Sequence, residues 1–256
     1  MNSNKFSERT QFSLNFAYLS KGLYGVQQQP NFPTVLGNIR KRIEKAANKT
    51  AKALMISART DRFVTALDNY ATFWLKNPVN INELENILNH NDDQLYGLKL
   101  KVVSPHVNAR GSSLSKYYRY TIIDDCDPQI ITSHELVWRI APKLDILLMQ
   151  EAAKILQGVH DFSSFRASGC SASTPVKNVY YIKISKNSQG YIFIDIEADA
   201  FLRKMIRNIV GLLVEIGTGI RNIEDLEQII QAKNRQCAGF TAPAMGLMLI
   251  KVKIKN

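Results

Sequence analysis

The stretch "ALMISARTDRFVTALDNYATFWL", residues 53–75, joins a short apolar run, a polar interruption and a longer apolar run. It reads as strand, loop, strand. The loop sets Arg59 and Asp61 almost side by side at the end of the first strand. An Asp after a strand is most often a turn former. The pair is therefore either an ordinary solvated turn or a carboxylate held at a working position, and the flanking sequence has to separate the two.

Upstream, "QFSLNFAYL", residues 11–19, places Phe12, Leu14, Phe16 and Tyr18 on one face, the period of a half-buried strand. "TVLGNIRKRIEKAANK", residues 34–49, reads as a helix burying Val35, Leu36, Ile39 and Ile43, with a largely basic outer surface. A helix is expected over 81–89, with strands over 96–103 and 116–123. The second half repeats the scheme. It has a helix over 143–157, a turn-rich "HDFSSF", strands over 176–185 and 190–198, helices over 200–217 and 222–232, and a last strand over 247–254. This order fits an α+β fold, two similar α/β halves sharing a mostly antiparallel central sheet, better than alternating βαβ units. The polar, proline-containing segment 124–135 is the expected junction. It divides the chain into an N-terminal half, 1–125, and a C-terminal half, 126–256.

The 256 residues hold 33 Lys and Arg against 22 Asp and Glu, a net charge of +11. The excess is +6 over residues 1–128 and +5 over 129–256, so it is spread through the fold. A distributed positive charge suits a broad basic surface or cleft facing phosphates, which makes nucleic acid the leading partner class. No apolar run approaches the roughly 20 residues that cross a bilayer. The first twenty residues lack the apolar core of a secretory signal, so no membrane role and a cytoplasmic location are expected. Cys126, Cys170 and Cys237 form no C-x-x-C pair, so reduced thiols are expected rather than disulfides or a zinc site.

The four histidines are scattered, and no Gly-rich phosphate loop, H-E-x-x-H or G-x-S-x-G motif occurs. Any chemistry here is expected to proceed without metal or cofactor. A lone carboxylate is then the natural nucleophile, and Asp61 is the candidate. Arg207 lies in "AFLRKMIRNIVGLLVEIG", apolar around most of a helical circumference and sharing a face with Arg203 at i, i+4. An arginine there needs a carboxylate or phosphate partner, or must snorkel to the surface. "KYYRYTII" turns Tyr118 and Tyr120 one way and Tyr117 the other. Such aromatics beside basic residues either stack an extruded base or pack across strands.

Seven segments in order carry a resemblance: "ARTD" (58–61), "NAR" (108–110), "YYRY" (117–120), "HDFSSFRA" (160–167), "TPVKNV" (174–179), "ADAFLRKMIRNIVG" (198–211) and "TAPAMGLMLIKV" (241–252). Together they resemble the TruA family of tRNA pseudouridine synthases, from about residue 11 to the C-terminus. The resemblance implies the pseudouridine synthase fold with a basic cleft between the halves. It assigns Asp61 as the catalytic aspartate, Arg207 as the arginine pairing with it, and Tyr118 as the tyrosine stacking on the target uracil. Arg59 is implied to help flip the base and Leu247 to line the pocket. Arg110, Arg166 and Arg203, inside or beside the matched motifs, are assigned to substrate binding. Family members act as homodimers on uridines of the tRNA anticodon stem-loop, usually nucleotides 38 to 40.

The chemistry agrees with those assignments. Pseudouridine formation breaks the N1–C1′ bond, turns the uracil and rejoins it through C5. The base must leave its stack, so the pocket needs an aromatic partner and a residue to fill the gap. Asp61 must be ionised, and a neighbouring guanidinium favours that form.

The chain also departs from the family. After the aspartate the family usually has a small or basic residue and then Gly-Val-His-Ala or Gly-Val-Ser-Ala, whereas this chain has Arg62-Phe63-Val64-Thr65-Ala66. Val26 stands where a tryptophan is common and Gln28 where an arginine is common. A bulky residue does not adopt positive φ cheaply, so Phe63 is expected at ordinary negative φ, its ring against the sheet or lining the pocket wall. The competing reading is an RNA-binding or RNA-folding protein that keeps the fold with weak or lost catalysis.

Overall fold

A computed structural model describes residues 8–90, 94–126 and 136–255. It forms two compact units. One runs to Leu114 and takes back the chain from Leu249, and the other spans Ser115–Met248. Most of the expected junction falls on residues 127–135, outside the described residues.

In the first unit, β1 (Arg9–Tyr18) runs antiparallel to both β3 (Thr65–Lys76) and β4 (Leu95–Val102), and β2 (Lys52–Ile56) pairs antiparallel with β3. The register sets Phe12 opposite Phe73 and Leu14 opposite Leu100, so the alternation read from sequence becomes core. Phe12, Leu14, Phe16 and Tyr18 are all buried. Helix α1 (Val35–Ala47) starts where the Thr34 side chain accepts from the Gly37 N–H, and ends at Asn48 in the left-handed conformation. It buries Val35, Ile39 and Ile43, while Leu36 is only half-buried. Each aliphatic side chain so buried contributes about 1.5–3 kcal/mol. The charged stripe of Arg40, Lys41, Arg42 and Lys45 stays off the buried face. Helix α2 (Ile81–Leu88) is capped by Asn80 and buries Leu84 and Leu88.

In the second unit, β5 (Ser113–Ile123) pairs with β9 (Tyr191–Ala198), β9 with β8 (Val176–Lys186) and β8 with β7 (Gly158–Asp161), all antiparallel. The two-residue β6 (Trp138–Arg139) runs parallel to β5. Alternation on β5 buries Tyr118, Tyr120 and Ile122. The opposite face carries Arg119, which forms two hydrogen bonds of 2.8 and 2.9 Å with Asp195 directly across on β9. Helix α3 (Ile146–Ile155) opens at Asp145, whose carboxylate accepts from the Leu147 and Leu148 N–H groups. Helices α4 (Met205–Gly217) and α5 (Asp225–Ala232) follow, and the last strand, β10 (Leu247–Ile254), belongs from Leu249 onward to the first unit.

Every residue of α4 except Arg207 is buried. Sequence periodicity places its start at residue 200, five residues too early. Lys204 has φ of +60° and is left-handed, which a helix interior excludes. Arg203 is held in a loop, because its carbonyl accepts from the Ala167 N–H at 3.0 Å and its own N–H points to the Cys170 sulfur. Arg203 therefore does not share a helix face with Arg207.

Gly211 lets backbone approach α4, since a Cβ there would collide with the Phe240 carbonyl oxygen. Gly211→Ala should cost about 1–3 kcal/mol, the range for overpacking, read as a Tm several degrees lower in a thermal melt. An unchanged Tm would show that the 240–242 segment can give way.

Candidate active site

The loop after β2 is fixed at its backbone. The Ser57 N–H donates to the Tyr70 carbonyl at 2.8 Å. The fully buried Asn69 clamps Ala58 twice, accepting from its N–H at 3.2 Å and donating to its carbonyl at 2.9 Å. The Thr60 carbonyl accepts from the Val26 N–H at 3.2 Å, and the Thr60 hydroxyl lies 2.7 Å from the Tyr18 hydroxyl. Burial pushes the Tyr18 phenol up to about 12, so it stays neutral and keeps this bond at physiological pH. Gly25 has φ of +85°, and a Cβ there would lie 3.2 Å from both the Thr60 carbonyl oxygen and the Arg62 nitrogen. Glycine is required on both counts. Past Asp61 a turn closes, with the Val64 N–H donating to the Asp61 carbonyl at 3.2 Å. Asp61 is half-buried and Arg59 exposed. The loop that carries Asp61 is thus fixed at its backbone rather than being a loose turn.

Phe63 corrects the expectation. Its φ is +70°, and the residue is 47% exposed. The left-handed conformation costs a non-glycine residue about 1–2 kcal/mol. Part of that is returned by Arg62, whose guanidinium lies 4.5 Å from the Phe63 ring centroid and 4.1 Å from that of Tyr24. Exposed cation–π contacts contribute about 0.5–1 kcal/mol each, so the two effects are of similar size. Thr65, the other substitution in this loop, is buried against Ser20, accepting from its N–H at 3.3 Å.

Arg110 also belongs to the first unit and is exposed. Its turn is built by Asn108, whose side-chain oxygen accepts from the N–H groups of Arg110 and Gly111.

The remaining expected residues belong to the second unit. Tyr118 is buried and meets Phe201 edge-on, with centroids 5.3 Å apart. Arg207 donates from Nε to the Ala242 carbonyl at 2.7 Å, while the Ala242 N–H donates to the Arg207 carbonyl at 3.0 Å. Tyr120 holds the same segment by donating to the Pro243 carbonyl at 2.7 Å. Burial raises the Tyr120 phenol well above its ordinary value, and the nearby Arg207 charge opposes that shift only partly. Gly246 packs against Tyr120 so closely that a Cβ would lie 2.5 Å from the ring. Leu247 follows it, buried at the start of β10. Arg207, Tyr120 and Leu247 are thus brought together through the 242–247 segment.

Arg166 and Arg203 meet on a different feature, the loop over 166–172. Arg166 donates to the carbonyls of Cys170 and Ala172, and Arg203 to that of Ser168, all within 2.9 Å. A cavity of about 490 Å³ beside this loop is lined by Arg166, Cys170, Lys233 and Arg235 among others. Among the described residues no group of three His, Cys, Asp or Glu is placed to hold a metal ion. No helix among them is long and apolar enough to cross a membrane.

Sequence reasoning missed the supporting residues Tyr18, Gly25 and Asn69, and the Tyr24–Arg62 stack.

A family model described as tRNA pseudouridine synthase matches residues 152–253. The chain is 35% identical to tRNA pseudouridine synthase A of Thermosipho africanus over 94% of its own length and 98% of that protein's. It is 36% identical to the protein of the same name from Thermoanaerobacter sp. strain X514, over 92% and 96% of the two lengths. A third of that name, from Pseudomonas aeruginosa, is 40% identical over 60% of this chain and 53% of its own. With two such likenesses extending over nearly the whole of both sequences, the chain belongs to the tRNA pseudouridine synthase family.

Proposed function

We propose that this chain isomerises uridine to pseudouridine in tRNA. The observation that carries the reading is identity of 35% over nearly the full length of a relative named for that activity. Asp61 is assigned as the carboxylate that acts on the extruded nucleotide and Arg207 as its electrostatic partner. Tyr118 is the ring that stacks on the uracil. Arg59 helps to displace the base, Leu247 lines the pocket, and Arg110, Arg166 and Arg203 serve the RNA backbone. The uridines lie in the anticodon stem-loop, the working form is a homodimer, and the enzyme acts in the cytoplasm, where its tRNA is.

The bookkeeping of the reaction supplies its test. N1 leaves C1′ and ends bearing hydrogen, while C5 bonds to C1′ and gives up its hydrogen, so nothing is added. Transfer RNA tritiated at C5 of uridine should release tritium to water when incubated with the protein, with no cofactor supplied. Retention of the label at enzyme concentrations that saturate the tRNA would overturn the proposal.

A further inference from the structure

Phe63 is out of keeping with its surroundings. A strained φ of +70° is ordinarily held in place by surrounding contacts, yet Phe63 is an exposed residue. The ring ends a ladder. Phe32 lies 4.4 Å from Tyr24, the Arg62 guanidinium 4.1 Å from Tyr24, and the same guanidinium 4.5 Å from Phe63, each distance taken to a ring centroid. Phe32, at the other end, is 49% exposed. The backbone beneath is tied by the Val26 N–H to the Thr60 carbonyl, with Gly25 close against Thr60 and Arg62.

We infer that the Tyr24–Arg62–Phe63 ladder is a stacking platform for an unpaired nucleobase of the substrate RNA, next to the target uridine and distinct from it. Three observations select a nucleobase. An exposed aromatic face beside a guanidinium is sequence-tolerant toward bases, because every base offers a π-face to the ring and its strand offers phosphate to the cation. The net charge of +11 favours a polyanion over an apolar protein face. Phe63 is also two residues from Asp61, so a base stacked there stands close to the carboxylate the reaction uses. The inference rests on the proposed substrate class but concerns a neighbouring base, so binding tests it without turnover.

The experiment uses the full chain and an anticodon stem-loop RNA carrying 2-aminopurine at single unpaired positions. Stacking on Phe63 should quench the fluorophore at one position in the parent protein. Phe63→Gly should abolish that quench and weaken binding about tenfold, within the range for losing one base–aromatic stack. Its Tm should not fall, since glycine tolerates positive φ. Phe63→Trp should keep both quench and affinity, whereas Phe63→Leu, similar in bulk but without a π-face, should lose both. Parent-like affinity and quenching in Phe63→Gly or Phe63→Leu would overturn the inference. Bound RNA with an intact quench but no tritium release would overturn the proposed reaction and leave the platform standing.

Discussion

Asp61→Asn is expected to lower pseudouridine formation by at least about 10³-fold, the scale of losing a preorganised charge in the transition state. Its affinity for tRNA should stay within a few fold of the parent's. The two halves of this expectation have separate physical grounds. The loop is held through its backbone and through neighbouring side chains. The hold comes from Asn69 on Ala58, Tyr18 and Val26 on Thr60, and the Asp61 backbone carbonyl. The variant should therefore fold with the same loop. Binding draws on cations that neutralise phosphate, and deleting a negative charge takes nothing from that sum. Turnover by Asp61→Asn near the parent rate would remove this carboxylate from the mechanism.

Arg207→Leu should reduce the single-turnover rate at saturating tRNA by about 10²-fold, as for one lost transition-state charge contact, and change affinity little. The helix should survive, because every other residue of α4 is buried and the Ala242 N–H still donates to the residue-207 carbonyl. What is lost is the guanidinium and its 2.7 Å bond to the Ala242 carbonyl. Arg207→Lys should restore the rate only in part, since a point charge does not reproduce a planar fork of donors. A leucine variant with lost affinity and a preserved saturating rate would make Arg207 a binding residue instead.

Patterns of period two and 3.6 carried most of the fold. They located β1, α1, β3, β5, β8 and β9 to within about two or three residues, the usual fraying of such boundaries. They failed where a contact distant in sequence overrides a local preference. The apolar periodicity of 200–217 runs through Lys204, but tethers from Ala167 and Cys170 hold the chain out of the helix until Met205. The two-residue β6 is too short to show any period.

The candidate site divides in the same way. Asp61, Tyr118 and Arg207 enter as candidates through motifs, and their roles stand as the proposal made above. The hydroxyl pair of Tyr18 and Thr60 spans 42 positions, and nothing local marks either residue as a support. Phe63 was misread for a physical reason. The cost of positive φ was weighed without the Arg62 stack that offsets part of it, and a surface cation–π pair leaves no trace in hydrophobic periodicity.

The most direct measurement is a map of pseudouridine in an unmodified tRNA transcript incubated with the protein, made by chemical adduct formation and primer extension. New stops at anticodon stem-loop uridines, present with the parent chain and absent with Asp61→Asn, are the predicted result. A transcript that the parent chain binds but leaves without a single new stop would contradict the account, and would make this chain an RNA-binding member of its family.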